Sequence, residues 1–496
     1  MLSSYILGSV ALAFVALAIR ASYTWTWRPA FPKNAPRLVS ENNVLFGAWQ
    51  FWTDRWSFFS QSMAHSSTGN FSFYAGRNRV VGLSGDDARK WFVESKELHL
   101  NQGYSLMLGP SDDEIEDGQS IERFLTTRIA NLLRGENIIR TLPVLIQHTR
   151  KNLEEFGRQQ WNKETLFDVV YRWVFISTAQ IVAPHDIIND PKLLRQMIDF
   201  FSSFEQNVSP TFLLFPKLPT WTAIRRFGSS FATFLRIKKI VDNRKKTGPI
   251  YGDALDFMIE QGDSEMNQIR MVFALLIAGL FNSGYNAAWL VTEFFLNPDW
   301  LKKVRQEVAD AVDKAVPDKS IPFLDRLSQL KFKDWEDGFP TIDICLKEVI
   351  RIRTAGCLMR KNITGHDLVI GTETIPNDTH VMYHIKDIHF DPEIYPNPGK
   401  WDPSRFEEAK GEDKKKEHAY IGWGAGRHPC AGIRYAKLEN YVLLAFFVSM
   451  FDFEVCYADG SPLKESPPTP PADLTMRAPS PPLYMKVRPR EKPGSV

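Results

Sequence analysis

Trp423-Gly424-Ala425-Gly426-Arg427-His428-Pro429-Cys430-Ala431-Gly432 leads directly into an apolar helical run over 433–451. Glycines stand four residues before and two after the cysteine, and a basic pair lies just upstream. The pattern presents a sulfur at the opening of a helix. Unpaired N–H groups and a positive dipole end lie there, so the sulfur is expected to be held ionised and to act as a nucleophile or metal ligand. Glycine lets the backbone come close to a large flat partner. A buried structural cysteine in a Gly-rich turn would use the same residues without that chemistry, so the rest of the chain has to decide.

At 496 residues the chain could hold several average domains or one large α-rich catalytic domain. Hydrophobic residues make up 44% and charged residues 24%, as in an ordinary globular protein. Lys+Arg 60 against Asp+Glu 58 leaves a charge of +2, which speaks against a nucleic-acid partner. The cysteines Cys345, Cys357, Cys430 and Cys456 form no CxxC pair and no dense framework, which points to a reducing compartment.

Residues 2–19 form an uncharged run of 18, roughly 27 Å as a helix and close to the ~30 Å hydrocarbon core of a bilayer. A cleaved signal peptide is the rival, with Ala16-Leu17-Ala18 as a tolerable cleavage site. Charge decides against it: no Lys or Arg precedes the run, while Arg20, Arg28, Lys33 and Arg37 follow before the first acid, Glu41. By the positive-inside rule the following domain is cytoplasmic. The expected organisation is a transmembrane anchor over 1–20, a basic, Pro-containing hinge over 21–43 and a catalytic domain over 44–496. Trp25 and Trp27 suit the membrane interface, and Pro29, Pro32 and Pro36 stiffen the hinge.

Helical periodicity dominates from about residue 44, with helices expected over 86–93, 142–161, 166–181, 192–205, 228–246, 267–296 and 339–352. Brief strands are expected over 71–75, 79–83, 368–370 and 380–384. The fold class is mainly α with a small β-sheet (α+β). The stretch 101–118 is polar and acidic, contains glycine, and reads as a loop. The run 267–296 is apolar almost all round, as befits a helix at the centre of a domain. A Pro-rich tail reads as a closing hairpin with a frayed end.

Glu348 and Arg351 share a helix face at i and i+3. Exposed pairs of that kind contribute only ~0.5 kcal/mol or less, but these are flanked by apolar residues, and Arg405 follows in Asp402-Pro403-Ser404-Arg405-Phe406. Taken with the Cys430 loop, this arrangement resembles the buried Glu-Arg-Arg triad of the cytochrome P-450 family, and the loop resembles that family's haem-thiolate loop. The resemblance covers nearly the whole chain. It implies a cytochrome P-450 fold behind an N-terminal transmembrane helix, with haem b as cofactor and Cys430 as its axial iron ligand.

The resemblance also implies site roles. Trp423 stands where the family usually has phenylalanine and would pack under the thiolate, while Gly426 belongs to the haem-binding loop. Arg128, in Phe124-Leu125-Thr126-Thr127-Arg128, together with Arg360 and His428, would meet the haem propionates. On the central helix, Ala278-Gly279-Leu280-Phe281-Asn282-Ser283 departs from the family pattern, with Phe281 in place of the acid and Asn282 in place of the threonine. Asparagine donates a hydrogen bond but does not readily pass a proton, so Asn282 and Ser283 are the candidate catalytic pair, Ser283 or water relaying. Tyr104, Ala278, Phe281, Gly356, Cys357 and the stretch 474–478 are substrate-facing candidates. Lys414-Lys415-Lys416, Arg434 and Lys437 could face an acidic flavoprotein.

The function implied is a monooxygenase of fungal secondary metabolism on the endoplasmic reticulum membrane, single-pass, with its catalytic domain in the cytoplasm. It would take electrons from an NADPH-cytochrome reductase and oxidise a hydrophobic terpenoid, sterol-like or alkaloid molecule. The alternative, motivated by Phe281 and Asn282, is a haem-thiolate isomerase, dehydratase or oxidative-coupling enzyme.

Overall fold

The structure, a computed structural model, describes residues 27–39, 43, 45–109, 120–158, 164–206, 214, 220–470 and 476–495. The expected anchor and the first part of the hinge lie outside the described residues. Chain contacts define two compact units, one of residues 1–111, 209–218 and 357–387, the other of residues 112–208, 219–356 and 388–496.

The first unit is built on a six-stranded sheet, ordered Arg37–Leu38, Phe71–Ala75, Asn78–Leu83, Thr379–His384, Cys357–Asn362 and Leu98–His99. Phe71–Ala75 is buried along its whole length, and its rings Phe71 and Phe73 meet Phe58 and Phe59 edge-on at 4.9–6.3 Å. Aromatic packing of that kind favours a strand whose faces are both covered. Asn78–Leu83 pairs antiparallel with it through a tight turn, and in parallel with Thr379–His384. The strand Cys357–Asn362 carries no clean alternation and was not expected.

The stretch expected to be a loop from 101 is instead helical over Leu100–Leu108, capped where the Gln102 N–H donates to His99 Nδ1 at 3.3 Å. Its glycine is the reason. A Cβ on Gly103 would stand 2.4 Å from the Arg360 Cα, so the helix lies directly on a strand and buries Leu106 and Met107 there. Tertiary contact outweighs the local polar composition.

In the second unit Glu265–Leu296 is the central helix, packed on Leu166–Val182, Ile433–Met450 and Pro340–Arg353. Ser264 caps it, its hydroxyl accepting from the Asn267 N–H at 3.4 Å. Ala287, Ala288, Trp289, Leu290 and Phe294 on it are buried, as the all-round apolar pattern requires. Among the described residues it is the helix long and apolar enough to cross a membrane, but 60% of its apolar window is buried inside the protein. The helix expected from 142 begins earlier, at Gly135, and runs through Pro143. Pro143 leaves the Ile139 carbonyl without an N–H partner, and Ile139 is half exposed, so water can take that place. Phe451–Cys456 and Tyr484–Pro489 pair antiparallel as the closing hairpin.

Candidate active site

Two-residue strands, Gly424–Ala425 and His428–Pro429, pair antiparallel and fold the cysteine loop on itself. Gly424 has φ +74°, and a Cβ there would sit 2.4 Å from the His428 carbonyl oxygen, so only glycine fits. The Cys430 N–H donates to the Trp423 carbonyl at 2.7 Å and closes the loop just before Ile433–Met450 begins. Trp423 packs against the hydrophobic core, while Gly426, Arg427 and residues 429–431 are exposed.

Cys430 is thus an exposed residue of the loop, although protein crowds its sulfur on most sides. Burial pushes its thiol above the ordinary value, and the opposing hydrogen bond from the Gly432 N–H is the weaker effect. One N–H and a dipole end do not by themselves outweigh desolvation, and a coordinated metal ion is what deprotonates a thiol in such a place.

Behind the loop, Pro340–Arg353 carries the fully buried Glu348 and Arg351. Arg351 donates Nε to Glu348 Oε2 at 2.7 Å and Nη2 to Oε1 at 2.8 Å, a bidentate pair. Arg405 Nε donates to Oε1 at 3.2 Å and the Asp402 N–H to the same oxygen at 3.0 Å. Arg351 also donates to the carbonyls of His389 (2.6 Å) and Pro398 (2.7 Å), and Arg405 to that of Asn397 (3.0 Å) and to Glu412 Oε2 (3.0 Å). A buried ion group is tolerated only when satisfied in this way, and it ties the 389–405 backbone to the helix.

On the central helix the expected pair separates. Asn282 is exposed, whereas Ser283 is buried. The Ser283 hydroxyl faces Glu439, a buried acid on Ile433–Met450 that also accepts from Thr178 Oγ1 (2.8 Å) and Tyr435 Oη (3.4 Å). Burial pushes the Glu439 carboxyl up to about 8, so it carries its proton at neutral pH. Sequence reasoning missed Glu439. The available signal was a lone acid among the apolar residues after the cysteine. Ala278 and Phe281 lie on the same helix, but their side chains are outside the described ones.

The cations proposed for a haem carry partners of their own. Arg128 forms a bidentate pair with Asp263, Nε to Oδ2 at 2.9 Å and Nη2 to Oδ1 at 2.6 Å, and lies 5.6 Å from the Phe124 ring. His428 Nδ1 stands 3.3 Å from Glu122 Oε1. Arg360 belongs to the first unit, buried, with Nη1 on the Met359 carbonyl at 2.8 Å and its guanidinium 5.3 Å from the Phe92 ring. Tyr104 and the buried Cys357 are in that unit too, and Arg360 tempers the rise that burial gives the Tyr104 phenol. Gly356 is the buried residue just before the boundary. The basic run beside the loop is mostly neutralised, Arg434 by Glu336, Lys437 by Asp343 at 2.6 Å and Lys416 by Asp391 at 3.8 Å, while Lys414 is exposed. A haem fits at Cys430, an exposed residue of the loop. At Arg128 and His428 its carboxylates would have to share with, or displace, Asp263 and Glu122.

A sequence model of the family described as cytochrome P-450 matches residues 84–485. The cytochrome P-450 monooxygenase AacuE of Aspergillus aculeatus is 30% identical, over 97% of this chain and 97% of its own. The cytochrome P-450 monooxygenase dmxR5 of a Cryptosporiopsis species is also 30% identical, over 90% and 88%. Among solved structures, retinoic-acid-bound cyanobacterial CYP120A1 superposes with a TM-score of 0.70 over 92% of this chain and 99% of that one; at 19% identity this shows the fold alone. An exposed cysteine on a closed glycine loop, a buried Glu-Arg-Arg group behind it and these likenesses in sequence and fold have one meaning: the chain belongs to the cytochrome P-450 family and is a haem-thiolate monooxygenase.

Proposed function

We propose that this protein oxidises a hydrophobic small molecule, of terpenoid, sterol-like or alkaloid type, with O2 and electrons from an NADPH-cytochrome reductase, using Cys430 as the axial thiolate. The observation that carries the assignment is Cys430, an exposed residue on its closed loop, backed by the buried Glu348, Arg351 and Arg405. The chemistry a thiolate-bound haem supplies is O–O cleavage, favoured by electron density from sulfur. Gly426 would let the loop backbone approach the haem, Trp423 would pack beneath the sulfur, and Arg128, Arg360 and His428 are the groups that would hold the propionates. Asn282 donates a hydrogen bond on the exposed side of the central helix. Ser283 holds a proton between that side and Glu439. Tyr104 and Cys357 in the first unit, and Ala278, Phe281 and Gly356 in the second, are the substrate-facing candidates.

The protein acts at the cytoplasmic face of the endoplasmic reticulum, its catalytic domain over 44–496 tethered by the anchor over 1–20 and the hinge over 21–43. Apposition to a bilayer is supported by an apolar stripe on Trp221–Thr247, where Trp221, Ile224, Phe227, Phe231 and Leu235 recur at helical spacing and are all exposed. Among the described residues beside the loop, the exposed Lys414, Lys415 and Arg427 are the cations proposed to face a reductase.

Two experiments test this reading. Cys430→Ala should abolish the thiolate-type spectrum of the reduced CO complex, and an unchanged spectrum refutes the ligand. Turnover should require NADPH and reductase. Conversion of a peroxide or a rearranging substrate without electrons would favour the isomerase reading that Asn282 motivates.

A further inference from the structure

We infer that His389 is a positioning residue for the Cys430 sulfur, the side chain through which the buried Glu348–Arg351 pair sets the path of the chain into the cysteine loop. The inference rests on the assignment of Cys430 as the axial ligand.

His389 is fully buried and faces two ways. Its carbonyl accepts from Arg351 Nη1 at 2.6 Å, which fixes its backbone to the ion group. Its Nε2 accepts from the Ile421 N–H at 3.0 Å, and its ring stacks on Tyr420 with centroids 5.1 Å apart and planes 21° apart. A backbone N–H can only donate, so the ring is a neutral imidazole with its proton on Nδ1. A second arm runs alongside. The Arg351 guanidinium lies 4.9 Å from the Tyr395 ring, and the Tyr395 hydroxyl donates to the Ala419 carbonyl at 3.0 Å.

The two arms grip alternate residues of the segment 419–421, immediately before the loop. From there the connection is backbone alone: the Ile421 carbonyl accepts from the Gly424 N–H at 3.0 Å, and the Trp423 carbonyl from the Cys430 N–H at 2.7 Å. Between them Gly422 allows no slack, since a Cβ there would meet Ile350 Cγ2 at 2.4 Å and the Tyr420 hydroxyl at 2.6 Å. A shift at Ile421 is therefore passed on to the sulfur instead of being absorbed. The triad touches no atom of the loop from 421 to 430 in the hydrogen bonds described; His389 does.

The test uses the full-length holoprotein with three variants and Cys430→Ala as control. His389→Phe keeps a stacking ring and removes the acceptor. His389→Gln places an amide oxygen near the Nε2 position. Tyr395→Phe removes the second arm's hydroxyl. The lifetime of the thiolate-type CO spectrum is followed, with far-ultraviolet circular dichroism as a control for gross damage. His389→Phe should shorten that lifetime roughly tenfold, the effect of leaving one buried donor unpaired. His389→Gln should recover most of it, with the circular dichroism unchanged in both. Tyr395→Phe on top of His389→Phe should shorten it further. A His389→Phe lifetime equal to the parent's, or a His389→Gln lifetime as short as that of His389→Phe, overturns the inference. Should His389→Phe fail to fold, amide hydrogen exchange in the parent decides: the Ile421 N–H must be protected to the level of the core helices, and rapid exchange overturns the inference. If Cys430→Ala keeps the thiolate spectrum, the ligand assignment falls. If it loses the spectrum while His389→Phe behaves as parent, only the His389 role falls.

Discussion

Glu439→Gln replaces a buried acid by its neutral isostere, and its effect should grow with pH. The Glu439 carboxyl has an ordinary value of 4.5 and is pushed up to about 8 by burial, which outweighs hydrogen bonds from Thr178, Tyr435 and Ser283. The folded protein therefore keeps the proton up to about pH 8, whereas the unfolded chain releases it near 4.5. A group of this kind leaves stability intact below 4.5 and lowers it as pH rises through the window, levelling off above about 8. At 1.36 kcal/mol per pH unit the full loss is about 5 kcal/mol, and about 3 kcal/mol of it is already present at pH 7. Tyr435 stays protonated throughout, since burial pushes its phenol well above the ordinary value. Glutamine accepts the Thr178 hydrogen bond as the protonated acid does but has nothing to titrate. The gain of Glu439→Gln over the parent should accordingly rise by about 1.4 kcal/mol per pH unit between about pH 5 and 8, then flatten. Urea unfolding followed by tryptophan fluorescence at five pH values from 5 to 9, at equal haem loading, measures this. Parallel profiles for parent and variant would refute the reasoning, because they would mean that Glu439 is ionised in the fold.

Three further outcomes follow from the geometry. Glu348→Gln leaves the two guanidiniums of Arg351 and Arg405 without their shared carboxylate, and should destabilise the protein by about 3–5 kcal/mol in the same urea assay. Gly424→Ala combines a positive φ with a contact of 2.4 Å to the His428 carbonyl, and should remove the thiolate-type CO spectrum while far-ultraviolet circular dichroism stays at the parent level. Asp263→Asn takes the carboxylate away from Arg128, so haem retention, measured by the rate of transfer to apomyoglobin, should improve if Arg128 serves a propionate, and stay unchanged if it does not.

How much could be read from the chain depended on whether the signal was local. The strand over Phe71–Ala75 and the helix over Glu265–Leu296 carry their own pattern, one a run of aromatics, the other apolar on every side. Leu100–Leu108 carries none, because its helix exists through the approach of Gly103 to Arg360, a residue some 250 positions away in sequence. Ser283 shows the same limit at the site. As a hydroxyl next to Asn282 it reads as the distal partner, yet a helix turns about 100° per residue, so its neighbour is exposed while it is buried toward Glu439. Arg128 and His428 read as waiting propionate partners, and each has an acid, Asp263 or Glu122, drawn from elsewhere in the chain.

By itself the sequence determined the cysteine loop, the Glu348 and Arg351 pair and the mainly α fold, because each rests on residue types at short spacings or on a helical period, while Arg405, 57 positions from Glu348, joined them through the family resemblance. Tertiary structure alone decided the crowding around Cys430, the raised carboxyl of Glu439 and the grip of His389 on Ile421. Those depend on desolvation and on hydrogen bonds between segments far apart in the chain, and no spacing along one segment encodes which distant group will lie within 3 Å of it.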